Sequence, residues 1–200
     1  MVPRRFFTYA VYDLPFGKGQ PFFSSMPAAA QAVLGGWRTS WTAVLQSGQY
    51  FAPTFTGFDP SGTGTIGGLP DRIGNGNSTG HGTAGYFDPS GFVVPGCPAS
   101  MPLCTPAAPI GRFGNSGLNI VSAPPTRNLD LELLKEFRVL EKYLVRFSVT
   151  ASNALNHPNF TYPANNISAP GTVGTVSSTT TALAGVRTFR EIDLMLRIKF

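Results

Sequence analysis

Polar and apolar residues alternate with a period of two along Arg190-Glu-Ile-Asp-Leu-Met-Leu-Arg-Ile-Lys-Phe200. On an extended strand Ile192, Leu194, Leu196, Ile198 and Phe200 share one face, and Glu191, Asp193, Met195, Arg197 and Lys199 share the other. About ten residues at 3.3 Å each, tilted about 45°, cover roughly 23 Å of height, close to the ~25 Å apolar band of an outer-membrane barrel. The pattern therefore predicts a transmembrane strand whose oily face meets lipid. A soluble sandwich strand can alternate in the same way, but it seldom ends a polypeptide on an aromatic residue.

Four earlier stretches read as strands. Residues 4–14 are rich in aromatic and β-branched side chains and stop at the turn cluster Pro15-Phe-Gly-Lys-Gly19. In residues 37–49, Trp37, Trp41, Ala43 and Leu45 lie opposite Arg38, Ser40, Thr42 and Gln46. In residues 128–138, Leu129, Leu131 and Leu133 alternate with Asp130 and Glu132, and the phase then slips at Leu134-Lys135. That slip predicts a bulge or an exit from the membrane. In residues 143–153, Tyr143, Val145, Phe147, Val149 and Ala151 oppose Arg146, Ser148, Thr150 and Ser152. The final strand is expected over 187–200, with a tight connection near 139–142 and one or two helical turns at Pro27–Leu34, proline leading.

The connections alternate short, long, short, long. Placing Phe200 on the periplasmic side puts the short connections, 15–34 and 139–142, inside, and those near 50–127 and 154–186 outside, as barrels require. The same count sets Trp37, Tyr143 and Phe200 at one height as an aromatic girdle at the inner interface. The stretch 50–127 has few charges and abundant Gly, Pro, Asn, Ser and Thr, so it reads as a long external loop without a core.

Composition agrees with strands. Gly (23) and Pro (18) make up about a fifth of the 200 residues against a usual share of roughly 12%. No apolar run approaches the length of a membrane helix, although hydrophobic residues reach 42% and Phe counts 16. The net charge of +5 comes from basic residues scattered among acidic ones, which argues against nucleic acid as a partner. Residues 1–9 show no apolar segment followed by a small-residue cleavage site. Either the protein is cytosolic or an export signal lies upstream in a longer chain, and the strand pattern favours the longer chain.

Catalytic chemistry finds little footing. His81 stands in a glycine loop and His157 in Asn-His-Pro, with no serine elbow, metal spacing or paired carboxylates beside either. His157 reads as a turn residue held by Pro158. Asp71-Arg-Ile-Gly-Asn-Gly-Asn77 lacks the regular oxygen ligands and closing Glu of a calcium loop. Cys97 and Cys104 sit in a proline-rich segment where a local disulfide is natural in an oxidising compartment, and they lack the further ligands of a zinc site. Neither an enzymatic activity nor a cofactor or metal is expected.

Six phrases carry a family resemblance: Tyr12-Asp-Leu-Pro-Phe-Gly-Lys-Gly19, Leu34-Gly-Gly-Trp37, Gln46-Ser-Gly-Gln49, Arg112-Phe-Gly-Asn-Ser-Gly117, Asn128-Leu-Asp-Leu131 and Asn153-Ala-Leu-Asn-His-Pro-Asn-Phe160. In order and spacing they resemble the C-terminal end of Oar-like TonB-dependent outer-membrane receptors. The resemblance implies an all-β fold, an antiparallel transmembrane β-barrel segment supplying about five C-terminal strands of a barrel of about twenty-two, with long external loops. It implies a cell outer membrane location in a Gram-negative-type bacterium and a role as barrel wall and substrate-capturing loops in energised uptake. The partners implied are outer-membrane lipid, the remainder of the barrel and its plug domain, the barrel-assembly machinery that recognises a final aromatic strand, and an unknown substrate. The TonB complex would be reached only through N-terminal parts that this sequence lacks. Five strands cannot close around a lumen, so the sequence is expected to be a piece of such a receptor. The other class left open is a surface-exposed outer-membrane β protein, an adhesin or structural protein, without transport.

Overall fold

The structure, a computed structural model, describes residues 3–77, 82–97, 99–105, 111–139, 142–179 and 186–200. The chain divides into two compact units.

One unit comprises Arg5–Gln46, Arg127–Asn159 and Thr180–Phe200. Its framework is a five-stranded antiparallel sheet built from β1 (Arg5–Asp13), β2 (Trp37–Gln46), then β8 (Thr126–Val139), β9 (Tyr143–Ser152) and β10 (Glu191–Lys199), in the order β1-β2-β8-β9-β10. The sheet is open, with β1 and β10 as its edge strands. The five stretches read from alternation are thus strands. The last begins at Glu191 rather than 187, and the second ends at Gln46 rather than 49.

The bulge expected at Leu134-Lys135 is absent from the pairing with β9, whose register runs unbroken from Leu131↔Ala151 to Val139↔Tyr143. Lys135 keeps its place on the leucine face because it finds two partners there. Its Nζ donates to the Val33 carbonyl at 3.0 Å and lies 5.3 Å from the centre of the Trp37 ring. Val33 belongs to the short helix α1 (Ala28–Leu34), which follows Pro27. The tight connection near 139–142 includes residues 140 and 141, which lie outside the described residues.

The end of β9 is tied down by asparagines. Asn153, fully buried, donates its backbone N–H to Asp130 Oδ1, accepts from His157 N–H at its side-chain Oδ1, and donates its side-chain amide to the carbonyls of His157 and Arg187. Asn159 Oδ1 accepts from Arg127 N–H, and Asn156 Oδ1 from Arg190 N–H. These side chains supply backbone partners where the ladder stops, which buried peptide groups require.

The other unit comprises Met1–Arg4, Ser47–Thr126 and Phe160–Thr179. Here the expectation of a long loop without a core is overturned. Phe51, Phe55, Phe87, Phe92, Val94, Val121 and Ile167 form a buried cluster, with Phe51 and Phe87 edge to face at 5.6 Å and Phe87 and Phe92 at 6.4 Å. Around it run β3 (Tyr50–Phe51) paired with β7 (Val121–Ser122), and β4 (Asp71–Arg72), β5 (Phe92–Pro95) and β6 (Cys104–Thr105) in a three-stranded sheet. Glycine permits the close packing. A Cβ on Gly48 would stand 1.6 Å from the Ala123 carbonyl oxygen, and one on Gly114 would stand 2.0 Å from that of Leu69.

Candidate functional site

Cross-strand register turns the alternation of separate strands into two continuous faces. On one, the rows run Leu131, Ala151, Ile192; Leu133, Val149, Leu194; Lys135, Phe147, Leu196; and Phe137, Val145, Ile198. Only Lys135 interrupts the apolar character. Val139 and Tyr143 close the face, and the Tyr143 ring packs edge to face against Phe200 at 6.1 Å. Trp37 packs instead against Phe147, at 6.3 Å. The three aromatics grouped by counting therefore fall into two contacts, one of which joins Tyr143 to Phe200.

The opposite face carries Glu132, Thr150 and Asp193 in one row, and Glu136, Arg146 and Arg197 in another. Ser40 Oγ donates to Glu132 Oε2 at 3.0 Å, which fixes the polar side of β2 on this face. Arg38 pairs with Asp13 at 2.6 Å, and Arg146 pairs with Glu136. Those pairs are partly exposed and contribute little to stability. β1 departs from the pattern, because Phe7, Tyr9 and Val11 share this face through their pairing with Val44, Thr42 and Ser40.

Ile192, Leu194, Leu196 and Ile198 are all exposed, Leu194 to 71%. An apolar face of this extent, unburied by the chain itself, marks contact with something apolar. No described helix is long and apolar enough to cross a membrane.

In the loop unit the phrase Arg112-Phe-Gly-Asn-Ser-Gly117 lies along Leu69–Arg72. Arg112 grips Asp71 with both guanidinium nitrogens at 2.8 and 2.5 Å, Asn115 N–H reaches Asp71 Oδ1 at 2.9 Å, and Ser116 N–H reaches the Pro70 carbonyl. The Arg112 hydrogen bond holds the Asp71 carboxyl below its usual range, against burial, which raises it. Asp71, weighed above as a calcium ligand, is committed to this pair. Asp59 is also held low, first by the Ser61 hydroxyl and then by the N–H groups of Gly64, Ser61 and Gly62. Cys97 and Cys104 are joined in the structure with their Cα atoms 5.6 Å apart, beside the parallel pairing of β5 and β6.

His157 lies in the asparagine turn, as its backbone bonds to Asn153 show. His81 lies outside the described residues. Among the described residues no three His, Cys, Asp or Glu side chains gather as a metal site. The aromatic core of the loops was missed in the sequence. Its available signal was the repeated Phe at 51, 55, 58, 87 and 92 in a stretch otherwise poor in large side chains.

No curated protein matches the chain, and no solved structure does. A family model described as an outer membrane beta barrel domain matches residues 1–192, nearly the whole sequence. The chain thus belongs to the outer membrane beta barrel domain family, a typically non-catalytic family of the bacterial outer membrane.

Proposed function

We propose that the chain is the C-terminal wall and loop assembly of an Oar-like TonB-dependent receptor that takes up a substrate with energy from TonB. In this reading the face of Ile192, Leu194, Leu196 and Ile198 meets lipid and the face of Glu132, Glu136 and Arg146 lines the lumen around a plug. The stretches near 50–127 and 154–186 are the external loops that capture the substrate. Tyr143 and Phe200 form part of the inner aromatic girdle, and the barrel-assembly machinery docks the final strand.

The observation that carries the reading is the continuity of the two faces across β8, β9 and β10, oily on one side and mostly polar on the other. A wall between lipid and water needs that division, because every strand must present opposite chemistry to opposite sides. The open edges of β1 and β10 support a larger barrel, since an unpaired edge in lipid leaves backbone groups unsatisfied.

Transport and adhesion separate on TonB. The complete receptor should bind the purified periplasmic domain of TonB in a pull-down. A receptor that inserts and folds but shows no such binding would favour the adhesin or structural reading.

A further inference from the structure

Lys135 is the one charge in the paired apolar rows of β8, β9 and β10, and it is only 6% exposed. The Val33 carbonyl and the Trp37 ring are its partners, and both bring only partial negative charge. Among the described residues no carboxylate pairs with it; the neighbouring Glu136 pairs with Arg146. A cation so placed calls for an anion.

A pocket of about 650 Å³ opens at this point between α1, the connection before it and β8. Lys18 and Lys135 bring two positive charges to its wall and Glu136, paired with Arg146, one negative charge, while Met26, Ala32 and Phe137 supply apolar surface. Gln31 also lines it, and its Oε1 is buried without a hydrogen-bond donor among the described residues. The pocket therefore offers two cations, an acceptor awaiting a donor and an oily side continuous with the sheet face.

We infer that this pocket holds the headgroup of a membrane phospholipid. The phosphodiester sits between Lys18 and Lys135, an ethanolamine or glycerol donor reaches Gln31 Oε1, and an acyl chain lies along Phe137 and the apolar face. This rests on the reading that the face meets lipid. Lys135 is four residues from Val139 at the strand end, which puts it roughly 9 Å up a strand tilted about 45°. The backbone there lies well inside the band, but the long side chain carries its Nζ to the Val33 carbonyl, in the connection this reading assigns to the inner side, where phosphates lie. Free phosphate shares the anionic chemistry but has no acyl chain.

The test uses the complete receptor, purified in a non-ionic detergent, with retained phospholipid measured by native mass spectrometry and by phosphorus analysis of the extracted lipid. Wild type should keep a phospholipid through delipidation. Lys18→Gln and Lys135→Gln should each lower retention about tenfold, the scale of one lost charge-assisted hydrogen bond, and Lys135→Arg should keep it. Lys18 is exposed, so its replacement leaves folding intact; heat-modifiable gel mobility checks every variant. Inorganic phosphate should fail to displace the lipid. Displacement by phosphate as readily as by added phosphatidylethanolamine would reassign the pocket to a free anion, and unchanged retention in Lys18→Gln would overturn the site. Vesicle insertion of Leu196→Arg against Met195→Arg reports on the lipid face without either lysine, so failure of the pocket and failure of that reading give different results.

Discussion

In the loop unit Phe55, Phe87, Phe92 and Ile167 are closed off from solvent, whereas in the sheet unit Leu194, Leu196 and Phe200 stand exposed. Both units use large apolar side chains, and apart from the short α1 their backbones are mostly extended or turned. What differs is the surroundings each is suited to. Burying a Phe or Leu from water gains roughly 1.5–3 kcal/mol, so a unit bathed in water folds such residues inward. Lipid removes that incentive, and a sheet in lipid can leave its oily side bare while its strands satisfy one another's backbone groups. Sheet and loops therefore carry opposite signatures of burial within one chain.

The largest break in the comparison should come from Phe92, which is 0% exposed. Phe92→Ala leaves a cavity at the centre of the aromatic cluster and should cost about 3–5 kcal/mol of loop-unit stability. Limited proteolysis of the protein in vesicles should then cut within 47–126 while the sheet strands stay protected. Loops that resist protease as before would mean that the cluster does not hold the unit together.

The second test inverts the logic on the sheet. Leu196→Arg should cost roughly 2–4 kcal/mol if it lies near the midplane, and Met195→Arg, one residue away on the face of Ser148, should be much milder. Folding into lipid vesicles measures both. Equal losses would remove the distinction between the faces.

The two units were also unequally legible in the sequence. A strand in a sheet with two chemically distinct faces repeats its signature every second residue, so Ile192, Leu194, Leu196 and Ile198 announce their common face within one short stretch. The loop core has no such period. Phe51, Phe55, Phe92 and Ile167 meet through contacts across large sequence separations, at turns whose glycines read locally as flexible linker. Gly48 and Gly114 are instead positions where backbones nearly touch. Lys135 misled for a related reason: an out-of-phase charge suggests a bulge until its partner, the Val33 carbonyl of a distant helix, is in view. The register itself was continuous.

Third in size is the pair Cys97 and Cys104. Closing so short a loop should stabilise the loop unit by about 2 kcal/mol, and the sheet by nothing measurable. Non-reducing peptide mapping of exported protein should find the two linked. Reduction should sensitise the loops alone to protease. Free thiols on both residues in exported protein would remove the link from the account.

The smallest effect, and the one with a pH signature, belongs to Asp71. Its side chain is 9% exposed, but Arg112 is 37% exposed, so solvent screening limits the pair to about 1 kcal/mol. The Arg112 bond lowers the folded-state pKa of Asp71 below its unfolded value. The stabilisation is therefore fully present above the unfolded value, near 3.9, and is lost as pH falls through the lower folded value. Asp71→Asn cannot make the charged pair at any pH. Loop-unit protease resistance should thus differ between wild type and Asp71→Asn by a constant amount from about pH 7 to 5, and the two should converge below about pH 4. The sheet should show no such convergence, since nothing in this pair reaches it. A difference that persists unchanged at low pH would show that Asp71 acts through the shape of its bonds to Asn115 and Arg112 rather than through its charge.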